Sequence, residues 1–285
     1  MIRAPLPPAL TPLATELGLR PFYGDIHNHS DLSYGHGRFE DALARAALQL
    51  DFVSITGHAH WPDMPVDDPS VAHIVDFHVK GFAKLRAGWM DHFAALQAAD
   101  QPHFCVFPGY EIHSNADGDY TIIYADLAPS PLHLADSPAA LKSALRDALV
   151  ERAFAFPHHI GYRQGARGIN WDSFDAELSP FVEMLSMHGC AEGSETDRGY
   201  LHSMGPVDGH STMAHGLARG HVFGIVGNTD HHTAFPGSYG HGRMCAYARS
   251  SAREDLWSAF LSRVTNGLTG DNIHLLASVA GMVQG

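Results

Sequence analysis

The stretch Asp25-Ile26-His27-Asn28-His29 is the most informative part of this sequence, because it contains two histidines two residues apart. It ends an apolar run, residues 22–27, that predicts the first β-strand. Side chains alternate between the two faces of a strand, so His27 and His29 point to the same side and can bind one metal ion. The pattern therefore predicts a metal site where the first strand ends.

Further runs that contain histidine or a carboxylate follow other predicted strands. They are Thr56-Gly57-His58, Pro108-Gly109-Tyr110-Glu111, Pro157-His158-His159, Ser186-Met187-His188 and Thr229-Asp230-His231-His232. Side chains that follow successive parallel strands meet on one rim of an α/β barrel. The chain is therefore predicted to be a metallohydrolase with several ligands at the carboxyl ends of its strands.

Composition and charge narrow the class of protein. The chain has 285 residues, 31 acidic against 18 basic residues, a formal charge of −13 and 22 histidines. Phosphate-backbone binding needs a basic surface, so nucleic acid is not expected as a partner. No apolar run approaches the roughly 18 residues of a membrane span, and no signal peptide is evident, so we expect no membrane partner and a cytoplasmic location.

Predicted strands and helices alternate almost throughout, which favours mainly parallel strands. No repeat or linker is evident, so we predict one domain over residues 1–285, with residues 1–20 as an N-terminal extension. Residues 59–79 are rich in Pro, Asp and His and are predicted to form a loop over the site. The oligomeric state is not predicted.

Other catalytic classes lack their sequence signals. The chain has no Gly-x-Ser-x-Gly nucleophile motif, no P-loop or dinucleotide fingerprint and no His-Glu-x-x-His motif. Its three cysteines have no Cys-x-x-Cys spacing, which argues against a disulfide framework or a structural zinc site.

The order of these motifs resembles the polymerase and histidinol phosphatase (PHP) superfamily. The resemblance extends from Asp25 to His232. It implies a distorted (β/α)7 TIM-like barrel with two or three divalent metal ions at the C-terminal ends of the strands. The first motif and the tail Gly267-Leu268-Thr269-Gly270-Asp271 resemble one largely uncharacterised bacterial branch, akin to carbaryl-hydrolase-type metallohydrolases.

The resemblance also implies which residues bind the metals. One ion would be held by His27, His29, Glu111 and Asp230. Glu111 would bridge to a second ion bound by His159 and His188, with His158 as the alternative to His159. A third ion would use His58 and His232. Its remaining ligand usually lies in the loop after His29. Tyr34 stands at the usual Asp position there, so His36 or Asp31 is the expected substitute.

The chemistry of these residue types agrees with hydrolysis. Imidazoles and carboxylates suit zinc, manganese or iron. A hydroxide that bridges two such ions would attack the substrate without a covalent enzyme intermediate. His188, His158 or His231 could move protons, because imidazole titrates near neutral pH. Acceptors for the ligand imidazoles could come from Asp25, Asp63 or Asp119.

The substrate is predicted from the loops beside the ligands. Phosphoester binding usually recruits Arg or Lys, and the candidates are Arg38, Arg163, Arg167, Arg198 and Arg243. The aromatic residues Trp61 and Tyr162 suit an apolar leaving group or simply pack the loops. We assign substrate binding to Arg163, Tyr162 and Trp61. The predicted activity is hydrolysis of small phosphate esters. The alternatives are a carbamate or aryl carboxylate ester hydrolase and a non-catalytic metal-binding accessory protein.

Overall fold

The computed structural model describes residues 11–147, 152–194 and 204–285 of a mixed α/β protein. Residues 1–10 of the predicted N-terminal extension, and Arg198, lie outside them. The α-helices are α1 (Pro12–Glu16), α2 (Phe39–Ala47), α3 (Ala72–Gly88), α4 (His92–Ala99), α5 (Pro138–Asp147), α6 (Met213–Ala218) and α7 (Arg253–Leu261). None of the helices in these ranges is long and apolar enough to cross a membrane.

The strands are short and belong to four sheets in the described ranges. They are β1 (Arg20–Asp25), β2 (Phe52–Val53), β3 (Thr56–His60), β4 (Cys105–Val106), β5 (Gly109–Ile112), β6 (Asp119–Tyr124), β7 (Ala153–His158), β8 (Phe181–Ser186), β9 (Gly189–Cys190), β10 (Gly224–Gly227), β11 (Arg243–Ala248), β12 (Thr265–Leu268), β13 (Ser278–Val279) and β14 (Met282–Val283). The sheet orders are β12-β11-β1-β2-β4, β3-β5-β6-β7, β10-β8-β9 and β13-β14.

The hydrogen bonds between the described strands do not close them into one barrel. Two of the predicted strands are each divided in two: β2 and β4 pair in the first sheet, whereas β3 and β5 pair in the second. Pro108 lies at one of these breaks, where its missing N–H cannot continue a ladder. The α/β class is therefore confirmed, but the closed (β/α)7 barrel is not.

Parallel strands account for only part of the pairing. The pairs β1–β2, β2–β4, β3–β5 and β8–β10 are parallel. The pairs β1–β11, β11–β12, β5–β6 and β6–β7 are antiparallel. The prediction of mainly parallel strands is wrong here. A short connection joins β5 to β6, and β7 pairs antiparallel with β6 although α5 lies between them in the chain.

The predicted loop over residues 59–79 is partly helical. Strand β3 continues to His60, and α3 begins at Ala72 after a 3₁₀ turn at Pro69–Val71. The carboxylate of Asp68 accepts a hydrogen bond from the backbone N–H of Ser70 at 2.9 Å. Asp68-Pro69 is thus a helix-start signal, a cap followed by proline, that the composition of this segment concealed.

An aromatic core lies beneath the strand ends. Phe156 and Phe181 are buried with their ring centroids 5.2 Å apart, and Phe154 stacks on Trp257 of α7 at 4.8 Å. His27 lies edge-on to Phe156, with centroids 6.5 Å apart. The apolar core therefore supports the residues that follow β1 and β7.

Candidate metal centre

The ends of six strands bring histidines and carboxylates into one buried cluster. Its members, all buried, are His27 and His29 after β1, His58 in β3, Glu111 in β5, His158 and His159 at the end of β7, His188 after β8 and Asp230 after β10. His58 and Glu111 lie directly opposite each other in the parallel pair β3–β5. The strand register therefore sets the spacing between these two side chains.

Glu111 and Asp230 form the centre of a first ligand set. The Nε2 atoms of His27 and His29 each lie 3.3 Å from Glu111 Oε2. They lie 3.4 Å and 2.9 Å, respectively, from Asp230 Oδ1. Two ligands about 2.1 Å from a shared ion are separated by roughly 3.0–3.4 Å, so these four side chains fit one divalent metal ion.

A second set gathers around the other oxygens of the same carboxylates. His158 Nε2 lies 3.2 Å from Glu111 Oε1, and His188 Nε2 lies 3.0 Å from Asp230 Oδ2. His159 Nε2 also contacts Asp230 Oδ2. Both neighbouring histidines thus enter the cluster: His158 faces Glu111, and His159 faces Asp230.

The residues expected around a third ion are only partly brought together. His29, His58 and His232 have ring nitrogens close enough to share an ion. The ring of Tyr34 stacks on His58 with centroids 3.8 Å apart. His36 is exposed and belongs to none of the candidate ligand groups found among the described residues, and Asp31 accepts the backbone N–H of Phe39 at the start of α2. Neither expected substitute joins this set.

The charges within the cluster shift its pKa values. Burial alone would raise the pKa of Glu111, but His58, His158 and His113 hold it well below its usual range. Burial disfavours charge on His27, yet Asp230 and Glu183 raise its pKa well above the ordinary value. Burial lowers the pKa of His158 to about 4. The cluster therefore combines ionised carboxylates with at least one neutral imidazole, a donor set that a divalent cation would satisfy.

Outer partners hold several of these imidazoles. Glu183 Oε2 lies 2.8 Å from His27 Nδ1 and accepts from Asn228 Nδ2 at 2.9 Å. Thr121 Oγ1 contacts His158 Nδ1 at 3.0 Å, and Ser33 Oγ contacts His58 Nδ1 at 2.9 Å. Glu183 was missed at the sequence level, although a lone acid within the apolar strand β8 is a signal of a buried, paired charge.

The acids expected to orient the ligands have different roles. Asp25 accepts hydrogen bonds from the backbone N–H groups of Thr229 and Gly237, and so connects β1 to the segment after β10. Asp63 accepts the backbone N–H groups of residues 115 and 116. Asp119 alone approaches a ligand imidazole, with Oδ2 3.5 Å from His159 Nδ1.

His113 and Arg167 form a further part of the cluster. His113 lies two residues after Glu111, and its Nδ1 is 3.2 Å from Glu111 Oε1 and 3.0 Å from Asp119 Oδ2. Arg167 NH2 lies 2.9 Å from the same His113 nitrogen. The strand period could have identified His113, because it shares a face with Glu111.

The remaining predicted site residues are less central. His231 is half-buried, and its Nδ1 accepts the backbone N–H of Thr233. Tyr162 is fully buried and Arg163 is exposed. The ring of Trp61 lies 5.6 Å from that of His113, and the ring of Tyr162 lies 6.0 Å from that of His159. Two of the three predicted substrate-binding residues therefore border the cluster.

Comparison with known proteins shows the fold. No protein-family model and no curated protein matches the chain. A two-domain protein from Bacteroides vulgatus that contains a predicted PHP-like metal-dependent phosphoesterase matches with a TM-score of 0.56 and 18% identity over 89% of this chain. PsfC from Pseudomonas syringae matches with a TM-score of 0.52 and 17% identity, over 87% of this chain and 91% of its own. The chain spans 66% of the Bacteroides protein.

These matches confirm the predicted PHP resemblance at the level of the fold. The kinship with carbaryl hydrolases stays a prediction.

The expectation that nucleic acid is not a partner is wrong as an exclusion. Endonuclease Q from Pyrococcus furiosus matches over 85% of this chain and 56% of its own, with 13% identity and a TM-score of 0.46. An endonuclease Q complex with a 27-mer duplex substrate that has an abasic lesion at the active site also matches, with 12% identity and a TM-score of 0.48. The net charge of the chain does not exclude a nucleic-acid partner, because it describes neither local charge nor bound cations.

Proposed function

We propose that this chain is a metal-dependent hydrolase that cleaves phosphoesters. One observation carries the proposal: the two oxygens of Glu111 face two groups of imidazole nitrogens, with His27 and His29 at 3.3 Å from Oε2 and His158 at 3.2 Å from Oε1. A carboxylate shared in this way is typical of sites that bind two ions. The fold shared with a predicted PHP-like phosphoesterase supports the same activity.

The clustered side chains would provide ligands for two metal ions. His27, His29, Glu111 and Asp230 would hold the first ion. Glu111 and Asp230 would also face a second ion, whose further ligands would be His158, His159 and His188. Divalent ions at such a site lower the pKa of water and polarise the scissile phosphoryl group. Thr121 and Glu183 would fix the orientation of the ligand rings, because they contact the opposite nitrogens of His158 and His27.

Proton transfer would fall to a histidine beside the ligands. Both ring nitrogens of His158 have partners, Glu111 and Thr121, which favours a ligand role for it. His231 is half-buried and lies next to Asp230 in the chain. We therefore assign proton transfer to the leaving group to His231 in preference to His158, and keep His188 as a metal ligand.

A second candidate substrate class is favoured by aromatic residues next to the site. Tyr34 packs on Phe77 with centroids 4.6 Å apart, and Phe77 is 49% exposed. Trp61 lies 5.1 Å from the ring of His78. Such a surface suits an aryl leaving group on a carbamate or carboxylate ester as well as on a phosphate.

Turnover of matched esters tests the proposal. The full chain, purified metal-free and reconstituted with Zn²⁺, Mn²⁺ or Fe²⁺, would be assayed with aryl phosphate, aryl carbamate and aryl carboxylate esters of one alcohol, and with duplex DNA. We expect metal-dependent hydrolysis of a phosphoester, with solvent ¹⁸O entering the phosphate in a single turnover. If no substrate is hydrolysed with any of these metals although the ions bind, the proposal fails.

A further inference from the structure

A buried arginine beside the metal centre has no role in the ligand set just described. Arg167 follows β7 in the chain, and its side chain is only 16% exposed. Its NH2 group lies 2.9 Å from His113 Nδ1, and that nitrogen lies 3.2 Å from Glu111 Oε1. One imidazole therefore separates the guanidinium from the proposed bridging carboxylate.

We propose that Arg167 binds an anionic oxygen of the substrate's phosphoryl group. It would thereby select charged phosphoesters over neutral carbamate or carboxylate esters. This inference rests on the proposed function and names the substrate feature that the site recognises.

The hydrogen-bonding capacity of this guanidinium is incompletely used by the described residues. Its Nε lies 3.1 Å from Asp119 Oδ2 but makes no hydrogen bond in the described part of the chain. NH1 contacts the sulfur of Met204 at 3.2 Å, and a thioether is a weak acceptor. A half-buried guanidinium with an unused donor gains from an anion that offers several acceptor oxygens, which a phosphoryl group does.

Asp119 has a hydrogen-bond donor besides the arginine. Its Oδ1 accepts the backbone N–H of Ser114 at 3.0 Å, whereas its Oδ2 lies 3.0 Å from His113 Nδ1 and 3.1 Å from Arg167 Nε. A purely structural ion pair would instead show good hydrogen-bond geometry between the two charged groups. The arrangement favours an arginine that is held near Asp119 with donors left for a ligand.

The backbone at Arg167 adopts a left-handed conformation. Arg167 has φ +71°, a left-handed conformation that costs a non-glycine residue on the order of 1 kcal/mol. The next residue must be glycine, because a Cβ at Gly168 would lie 1.5 Å from the carbonyl oxygen of Tyr162. The turn is fixed by hydrogen bonds from the backbone N–H groups of Ala166 and Gly168 to the carbonyl of Arg163. Strain of this kind collects where a side chain must be positioned for function.

Trp61 contributes to the same position from another loop. The Cζ atom of Arg167 lies over the Trp61 ring, 5.6 Å from its centroid. An aromatic face holds a planar guanidinium while leaving its edge free for hydrogen bonds. Arg146 in α5, whose side chain is 66% exposed, has no assigned role in the site and offers a control.

Calorimetric titration with inorganic phosphate tests the inference on the metal-reconstituted full chain. Arg167→Gln should weaken phosphate binding by about tenfold or more, since a charge-assisted hydrogen bond is lost, whereas Arg146→Gln should leave it unchanged. Arg167→Lys should recover part of the affinity, because it restores the charge but not the bidentate geometry. Metal content and melting temperature would be measured for each variant, to separate anion binding from folding.

A measurement on the unmodified protein keeps the inference testable if Arg167→Gln does not fold. Phosphate should protect Arg167, and not Arg146, from modification by phenylglyoxal, as read by peptide mass spectrometry. Unchanged phosphate affinity in a folded Arg167→Gln protein, or no protection of Arg167, would overturn the inference. Phosphoester turnover with an unchanged KM in that variant would overturn it too, yet leave the proposed function standing. Arg167-dependent phosphate binding by a protein that hydrolyses no ester would instead support the inference and contradict the proposed function.

Discussion

The ring of Tyr34 lies stacked on the ring of His58, with their centroids 3.8 Å apart. The Tyr34 hydroxyl reaches His113 Nε2 at 3.1 Å. Tyr34, at the position where the resemblance implies an Asp ligand, therefore packs on the face of the His58 ring and contacts His113 through its hydroxyl. This contact bears on how many ions the site can hold.

Replacing Tyr34 by an acidic residue should increase the number of bound ions. Tyr34→Asp removes the stacked ring and adds a carboxylate next to His58 and His232, so we expect about one additional ion per chain. Metal content after reconstitution and desalting, measured by plasma mass spectrometry, checks this, with Tyr34→Phe as the control that adds no ligand. Three ions already bound by the unsubstituted chain would contradict the expectation.

Glu111→Gln should lower both metal content and activity. The amide carries no charge and is a weaker ligand than the carboxylate that faces both groups of imidazoles. We expect a loss of ester hydrolysis of about 100-fold or more, because several kcal/mol of transition-state stabilisation depends on the ions. Glu177→Gln changes an exposed glutamate on the surface and serves as the control. Full metal content and normal turnover in Glu111→Gln would refute its bridging role.

Glu183→Gln tests an outer partner of the site. The carboxylate of Glu183 lies 2.8 Å from His27 Nδ1, so its loss should weaken His27 as a ligand without removing a ligand. Loss of such a partner typically lowers metal affinity by about 10–100-fold. Competition with a chromogenic chelator measures the affinity directly. An affinity within twofold of the unsubstituted protein would show that this contact is dispensable.

His92 should make the fold sensitive to acid independently of the metals. Burial lowers its pKa to about 4 from an ordinary 6.5, so the folded state holds it neutral while the unfolded state takes up a proton. Its contribution is present above pH 6.5 and is lost as the pH falls from 6.5 to about 4, by up to about 3 kcal/mol.

Urea unfolding with a chelator present, at pH 7 and pH 4.5, measures this loss. His92→Gln should show a smaller decrease in the free energy of unfolding between the two pH values than the unsubstituted protein. His210→Gln, a change at a histidine whose side chain is 82% exposed, should not alter the decrease. Equal decreases in all three proteins would argue against a buried neutral His92.

The α/β class and the metal-ligand candidates at the strand ends could be predicted from the sequence alone. An apolar strand followed by His or a carboxylate is a local signal, because period 2 sets the face of each side chain and the strand end sets its place. His27, His29, His58, Glu111 and Asp230 could all be named on this basis, and the structure brings them together.

The pairing of ligands with carboxylates and the burial of individual side chains follow only from the tertiary structure, because both depend on contacts between residues far apart in the chain. His158 and His159 are neighbours in sequence, yet they face different carboxylates, and Glu183 reaches His27 from 156 positions away. Arg163 and Arg167 look alike in sequence, but Arg163 is exposed whereas the side chain of Arg167 is half-buried against His113 and Asp119. Burial and the direction of a side chain are set by packing across the strands, which no local pattern records.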